Sequence, residues 1–183
     1  KEGETPIYVA AQNGYAEAIR ALHAAGANVD KPNNAGETPA YIAAFQGHAK
    51  VIAELKAVGA NVDAPRPDGK TPAYIAAERG HVEVMHALKA AGVNLSTSLF
   101  AAAERGHPTV ISLLKAAGAN VDAQRPDGKT PVYIAAYYGC AEVITALKAA
   151  GAAMDKPIPS GFTPIFIAAQ HGHAAAIAAL KTA

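Results

Sequence analysis

The sequence predicts an all-α solenoid of helix–turn–helix units, because one block of residues recurs along its whole length. The block has the pattern TPxYxAAxxGH, and its six copies begin at Thr5, Thr38, Thr71, Thr97, Thr130 and Thr163. Four spacings are 33 residues and one is 26. Self-similarity at a period of this size is typical of stacked supersecondary units. We therefore expect a single array over residues 1–183, with its function on a surface.

The first helix of each repeat is expected to start at the threonine. In five copies a proline follows, and a threonine oxygen can cap free N–H groups while proline suits the first helical position. A glycine nine residues after the threonine is expected to end this helix in a left-handed conformation. These glycines are Gly14, Gly47, Gly80, Gly106, Gly139 and Gly172.

The second helix of each repeat is predicted from apolar residues at helical spacing, such as Val143, Ile144 and Leu147. Glutamate near its start and lysine near its end complement the helix dipole. We interpret the lysines as solvated helix ends rather than as a basic docking stripe. A second set of glycines is expected to end these helices: Gly26, Gly59, Gly92, Gly118 and Gly151.

The connectors that precede the threonines carry turn residues, as in Pro67-Asp68-Gly69 and Pro126-Asp127-Gly128. Proline fixes one dihedral angle and glycine tolerates a positive one, so these segments are expected to project as turns or hairpins. We call them fingers. The connector before Thr97 lacks seven residues that the others carry. The gap is interpreted either as a neutral loop deletion or as a notch for a partner near Glu78, Arg79, Glu104 and Arg105.

These residues resemble the ankyrin repeat, whose consensus carries Thr-Pro-Leu-His, Ala-Ala, Gly-His and a Gly-Ala-Asp-Val-Asn tail. The resemblance covers the entire chain. It implies an ankyrin-repeat solenoid in which each unit is a β-turn finger followed by two antiparallel helices. It also implies a concave face of fingers and first helices that binds other proteins, and no catalysis.

Two further departures from the family pattern are visible. An aromatic residue replaces the usual histidine of the Thr-Pro-Leu-His block in every copy, at Tyr8, Tyr41, Tyr74, Phe100, Tyr133 and Phe166. We expect tyrosine hydroxyls to provide the hydrogen bond that the imidazole makes in the family, and packing to replace it where phenylalanine stands. The tail reads Asn-Val-Asp, as at Asn28 to Asp30.

Candidate partner-binding residues lie where the repeats differ from one another, because stacking does not dictate those positions. Variable positions occur after the Ala-Ala pair and in the fingers, and four aromatic residues stand where other copies are polar. Aromatic residues often dominate interface energetics, although exposed apolar residues are also common on any surface. The candidates are Phe45, Gln46, Glu78, Arg79, Glu104, Arg105, Tyr137, Tyr138, Ile158, Phe162 and His171.

The sequence does not favour an enzyme. It contains no His-Glu-x-x-His and no Gly-x-Gly-x-x-Gly pattern. Gly-Lys-Thr occurs twice, but Ala64 and Ala123 stand where a phosphate-binding loop requires its first glycine. Cys140 occupies the histidine position of the Gly-His turn and is interpreted as a substituted repeat residue rather than as a nucleophile. We expect no cofactor and no metal, since His171 and His173 lack further ligands at recognised spacing.

Composition narrows the choice of partner. Sixteen basic and fifteen acidic residues leave a net charge of +1, so neither nucleic acid nor an anionic membrane is an expected partner. A single cysteine and the lack of a visible secretory signal favour a cytoplasmic, intracellular location. The first repeat resembles interior ones, and the last has alanines in place of bulkier residues, so we expect a monomeric array or part of a longer chain.

The predicted function is therefore binding of a partner protein through the concave face. Two alternatives stay open at this point. The array is also compatible with a structural spacer or regulatory arm of a larger multidomain protein. A tyrosine-rich groove that captures a small molecule or a glycan is the third interpretation.

Overall fold

Each threonine-initiated block forms a pair of helices in the computed structural model, which describes residues 3–181. Within that range there are twelve helices and no strand, as the sequence predicts. The helices are α1 (Pro6–Gln12), α2 (Ala16–Ala24), α3 (Pro39–Gln46), α4 (Ala49–Ala57), α5 (Pro72–Arg79), α6 (Val82–Ala90), α7 (Ser98–Arg105), α8 (Pro108–Ala116), α9 (Pro131–Tyr137), α10 (Ala141–Ala149), α11 (Pro164–Gln170) and α12 (Ala174–Lys181).

The chain divides into two compact units between Leu95 and Ser96, where the sequence lacks a finger. The first unit holds α1 to α6, and the second holds α7 to α12. Within each unit the first helices of successive repeats pack in series, and the second helices pack in a parallel series. Helices this short are marginal alone in water, so their stability comes from this stacking.

The core of each unit lies between its helices. In the first unit the fully buried side chains include Ile19, Ile52, Leu55, Met85 and Leu88. In the second unit they include Leu99, Ile111, Leu114, Ile144 and Leu147. Apart from Leu99, which lies in the first helix α7, these residues occupy apolar positions of the second helices. The apolar pattern therefore fixes which face of each helix is buried.

Threonine caps start five of the six first helices. The hydroxyl oxygen accepts a hydrogen bond from the backbone N–H three residues later, at 3.1 to 3.4 Å. Each of these threonines precedes a proline and has an extended backbone. A residue before proline is kept out of the helical region by contact with the proline ring. The Thr-Pro pair therefore sets both the cap and the first helical residue.

The expectation of a threonine cap is wrong for the fourth copy. Thr97 has φ −71° and ψ −20°, and its side chain makes no cap hydrogen bond. Serine replaces proline at position 98, so nothing holds Thr97 in the extended conformation that a cap requires. The Ser98 hydroxyl is fully buried and has no hydrogen-bond partner among the described residues.

This difference yields a prediction for the second unit. We expect Thr130→Ala to lower the free energy of unfolding by about 1 kcal/mol, because it removes a cap of α9. Thr97→Ala is the control and should cost less than about 0.5 kcal/mol, since it removes an exposed side chain without a cap bond. Urea denaturation of both variants measures the difference. Equal losses would show that the cap contributes nothing.

Glycines end the helices as predicted. Every glycine of the two predicted sets has a φ between +71° and +87°. Residues with a Cβ are disfavoured in this left-handed region. At several of these glycines the missing Cβ also makes room for a histidine ring of the next repeat.

The fingers are hydrogen-bonded turns rather than strand hairpins. In each of the four fingers the first N–H donates to the carbonyl oxygen four residues later, at 2.9 to 3.0 Å. The glycine before the last residue donates back to the carbonyl of the first residue. In two fingers the aspartate Oδ1 accepts the N–H two residues on, at 3.1 to 3.2 Å. The turns span 33–37, 66–70, 125–129 and 158–162.

Side chains outside the helices also connect successive repeats. In the first unit Asp30 Oδ1 accepts the N–H of Asn61 at 2.8 Å, and in the second unit Asp122 Oδ1 accepts the N–H of Ala153 at 2.8 Å. The final aspartate of the Asn-Val-Asp tail is therefore a link between repeats. A hydrogen bond from a backbone N–H to a charged carboxylate is stronger than one between two neutral groups.

Candidate functional site

The helix ends position most of the candidate residues. The pair after Ala-Ala falls on the last residues of the first helix or on its C-cap, because the following glycine ends the helix there. The finger residue Phe162 closes a turn directly before α11. The variable positions of a repeat are thus brought to one end of its first helix and to the finger in front of it.

In the first unit three of the four candidate residues have partners within the same unit. The guanidinium carbon of Arg79 lies 3.8 Å from the centroid of the Phe45 ring, which is half-buried. Glu78 Oε1 lies 3.7 Å from Lys70 Nζ in the preceding finger. Gln46 is exposed at the end of α3. The aromatic face of Phe45 is therefore covered by a cation of the same unit.

The second unit presents uncovered aromatic side chains. Tyr137 is 41% exposed and Tyr138 is 49% exposed, and their ring centroids lie 5.0 Å apart in an edge-to-face arrangement. The His171 ring lies 4.5 Å from that of Tyr137. Such ring pairs are favourable beyond the area that they bury. The structure thus brings three of the predicted residues into one cluster.

Phe162 belongs to a second aromatic pair. Its ring stacks on Phe166 with a centroid distance of 4.6 Å, and both rings are more than 40% exposed. Ile158, in the same finger, is half-buried. Sequence reasoning missed Phe166 because an aromatic residue stands at this position in every repeat. Three of its counterparts, Tyr8, Tyr41 and Tyr133, are at most 3% exposed. Packing does not cover Phe166 within the described residues, contrary to the expectation.

Glu104 connects the tyrosine cluster to the finger of the fifth repeat. Tyr138 donates its hydroxyl hydrogen to Glu104 Oε1 at 3.3 Å, and Arg125 Nη2 lies 3.6 Å from Glu104 Oε2. Partial burial raises the pKa of Tyr138, and the neighbouring Glu104 carboxylate adds to the increase. The Tyr138 hydroxyl therefore stays protonated and acts as a donor. Arg105, the neighbour of Glu104, lies exposed at the end of α7.

Two tyrosine hydroxyls at the former histidine position make hydrogen bonds, but with other partners than the expected backbone groups. Tyr8 donates to Glu37 Oε2 at 2.8 Å, and Arg66 donates to the Tyr41 hydroxyl at 3.4 Å. Both partners are side chains of the next finger rather than backbone groups. Burial and the Glu37 carboxylate raise the pKa of Tyr8. These bonds hold each finger of the first unit against the preceding repeat.

Histidines of the Gly-His turn bind the preceding repeat. The Nε2 atoms of His48, His81 and His173 lie 3.0 to 3.1 Å from a carbonyl oxygen at the end of the previous first helix. Since a carbonyl only accepts, each Nε2 donates. Within residues 3–181 no group of three or more histidine, cysteine or acidic side chains is placed to hold a metal ion. None of the helices in that range is long and apolar enough to cross a membrane.

Cys140 takes the histidine position of the Gly-His turn in the fifth repeat. Its Sγ lies 4.0 Å from the carbonyl oxygen of Glu104, a long contact compared with the histidine bonds. A cavity of about 290 Å³ adjoins it, lined by Gly106, Gly139 and residues 140–143. Burial raises the pKa of the Cys140 thiol, which lowers its reactivity. The position supports the interpretation as a substituted repeat residue.

Serial packing of two-helix repeats defines a helical repeat protein. A family model described as ankyrin repeats (3 copies) matches residues 1–66, 54–125 and 99–182. The chain therefore belongs to the ankyrin repeat family. Ankyrin repeats are generally protein–protein interaction modules.

Solved structures agree with this assignment. The crystal structure of the human ASB11 ankyrin repeat domain is 27% identical, with a TM-score of 0.87 over 97% of this chain and 82% of that one. An ankyrin repeat domain from Acinetobacter baumannii AYE is 24% identical, with a TM-score of 0.81 over 96% of this chain and 95% of that one. The second likeness shows the fold alone. A search of curated protein sequences found no match.

Proposed function

We propose that the chain binds a partner protein through the face formed by its fingers and first helices. The observation that carries this proposal is the concentration of exposed aromatic side chains in the second unit, at Tyr137, Tyr138 and Phe162. The counterparts of the two tyrosines in other repeats are mostly polar or charged, so the stack does not require aromatic residues there. Membership of a family of interaction modules supports the same conclusion.

Ring packing makes these side chains good anchors for a partner. Tyr137 is held between Tyr138 and His171, and Phe162 is held against Phe166. Aromatic side chains that are already ordered lose little conformational freedom on binding, and they supply a large contact area. The rings of the second unit thus have the properties of interface hot spots.

The other candidate residues complete the proposed surface. In the second unit Glu104 accepts a hydrogen bond from Tyr138, and His171 lies against Tyr137. Ile158 belongs to the finger of Phe162, and Arg105 follows Glu104 at the end of α7. In the first unit Phe45, Gln46, Glu78 and Arg79 occupy the equivalent ends of α3 and α5. Because Phe45 and Glu78 already have partners within their own unit, we expect the second unit to contribute most of the affinity. We propose a cytoplasmic location, and a monomeric array or part of a longer chain, on the grounds given by the sequence.

The test replaces the three anchors together. We expect the triple variant Tyr137→Ala, Tyr138→Ala, Phe162→Ala to lose at least tenfold in affinity for proteins captured by the wild-type chain, because hot-spot aromatics supply most of the binding energy. Quantitative pull-down followed by titration of the captured protein measures the loss. Circular dichroism should show unchanged helix content, since all three side chains are exposed.

Tyr15→Ala is the matched control. Tyr15 is an exposed aromatic residue, 63% accessible, but it is the N-cap residue of the second helix α2 and lies neither at the C-terminal end of a first helix nor in a finger. Its replacement should leave binding unchanged. If the triple variant binds as tightly as the wild type, the proposed surface is wrong. If the wild-type chain captures nothing that the triple variant loses, a structural spacer is the better description.

A further inference from the structure

We infer that a small cavity beside the fifth repeat binds an aspartate or glutamate side chain of the partner, next to an apolar residue of the same segment. This inference rests on the proposed function and specifies the chemistry of the partner. The cavity has a volume of about 200 Å³ and is lined by Arg125, Lys129, Ile134, Tyr137 and Tyr138. It lies entirely within the second unit and opens beside the two exposed tyrosines.

The two cations of the cavity are held in place. The guanidinium of Arg125 lies 5.0 Å from the centroid of the Phe100 ring and 3.6 Å from Glu104. Lys129 Nζ lies 2.9 Å from Asp127 Oδ2 in the finger turn. Side chains fixed in this way lose less freedom when a ligand binds. Both positive groups are therefore already ordered at the wall of the cavity.

The hydrogen-bond donors and acceptors of the side chains at the cavity indicate which kind of ligand it binds. The carboxylate oxygens at the cavity are engaged, since Glu104 uses one for Arg125 and one for Tyr138, and Asp127 uses both for Lys129. The donors are in excess, because a guanidinium has five N–H groups and an ammonium has three. The N–H groups that remain can therefore bind a further acceptor from a partner. A carboxylate supplies two acceptor oxygens and forms charge-assisted bonds with both cations.

The third repeat has the same finger sequence, and there a glutamate of the chain itself lies beside the finger lysine. The sequence Arg-Pro-Asp-Gly-Lys-Thr-Pro occurs at 66–72 and again at 125–131. In the first copy Glu78 of α5 lies 3.7 Å from Lys70 Nζ. The corresponding residue of α9 is Tyr137. The fifth repeat therefore keeps the lysine but has no carboxylate at the position where the third repeat has one.

Size and charge exclude larger or more highly charged ligands. The volume of about 200 Å³ lies below the range of roughly 300–1,000 Å³ that is usual for small-molecule sites. Asp127 and Glu104 already balance the charges of Lys129 and Arg125, so a doubly charged phosphate group would be repelled more than a single carboxylate. One acidic side chain fits both limits. Ile134 and the two tyrosine rings provide an apolar border for the neighbouring residue.

The first arm of the test needs no protein variant. A display library of random peptides is selected on the full chain, and each selected peptide is titrated by fluorescence anisotropy. We expect the peptides to share an aspartate or glutamate beside an aromatic or aliphatic residue. Replacing that acidic residue with its amide should lower the affinity at least tenfold, and higher ionic strength should reduce the difference.

The second arm places a carboxylate of the chain itself in the cavity. Tyr137→Glu reproduces the arrangement of Glu78, and Tyr137→Gln is its uncharged match. We expect Tyr137→Glu to bind the acidic peptides at least tenfold more weakly than Tyr137→Gln, although both lose the ring. For the amide peptides the two variants should differ less than twofold. Thermal unfolding of both variants by circular dichroism shows whether they are folded.

The outcomes separate this inference from the proposed function. Peptides that depend on Tyr137, Tyr138 and Phe162 but show no preference for an acidic residue would overturn the carboxylate site and leave the binding surface intact. Equal affinity of the acidic peptides for Tyr137→Glu and Tyr137→Gln would also overturn the site. A chain that retains no peptide dependent on the three aromatic residues would contradict both.

Discussion

Leu147→Ala should destabilise the second unit by about 2–5 kcal/mol, the range for removing a fully buried leucine and leaving a cavity. Leu147 lies in α10 and is completely buried. Helix α10 packs against α8, α9 and α12, so the cavity opens at the centre of the second unit. Urea denaturation followed by circular dichroism measures the loss through the shift of the midpoint.

Thr145→Ala is the control for this prediction. Thr145 lies in the same helix but is exposed, and its hydroxyl bonds only to the carbonyl of Ala141 within the helix. Its replacement should change the free energy of unfolding by no more than about 0.5 kcal/mol. Similar results for both variants would mean that stacking of the second helices does not stabilise the array.

Gly139→Ala should cost about 3 kcal/mol, because two penalties add. Gly139 has a φ of +73°, a region that costs an alanine about 1–2 kcal/mol. A Cβ at this position would also lie 2.8 Å from His173 Nδ1 and 2.9 Å from its Cγ. Overpacking of this kind costs about 1–3 kcal/mol, and any shift of the ring weakens its 3.0 Å contact with the Tyr137 carbonyl.

Gly106→Ala separates the two penalties. Gly106 has nearly the same backbone conformation, with a φ of +77°. A Cβ there would meet only Cys140 Sγ, at an ordinary 3.5 Å. The cost should therefore be about 1–2 kcal/mol, from the backbone alone. Adding Cys140→His to Gly106→Ala should lower the free energy of unfolding further, because a histidine ring at position 140 would crowd the new Cβ as His173 does at Gly139. Chemical denaturation of Gly139→Ala, Gly106→Ala and the double variant measures the three losses. If Gly106→Ala is as costly as the other two, the crowding penalty is wrong.

The helices were predictable because their signals are local. Thr-Pro and the terminal glycines act through the dihedral angles of one or two residues, so they need no knowledge of the rest of the fold. The same locality explains the error at Thr97. The repeat pattern suggested a cap there, but serine at 98 removes the restriction that proline imposes on the other copies.

The site was less predictable because its contacts join distant residues. Variation between repeats located Tyr137, Tyr138 and His171, which the structure brings together. It did not select Arg125 and Lys129, because their segment was interpreted as a turn of the repeat and its Gly-Lys-Thr as an incomplete phosphate-binding loop. The duplicated finger sequence was the available signal. Comparing the residues that follow each copy shows glutamate in one and tyrosine in the other, but the pairing of Lys70 with Glu78 required coordinates.

Cys140 provides the molecule with an internal probe. It is the one cysteine of the sequence, and it lies half-buried beside a cavity in the middle repeat of the second unit. A protonated and partly covered thiol reacts slowly with alkylating reagents, so any opening that exposes it further raises the rate of its modification. The modification rate of this single native sulfur atom therefore reports local opening in the second unit, without any introduced label.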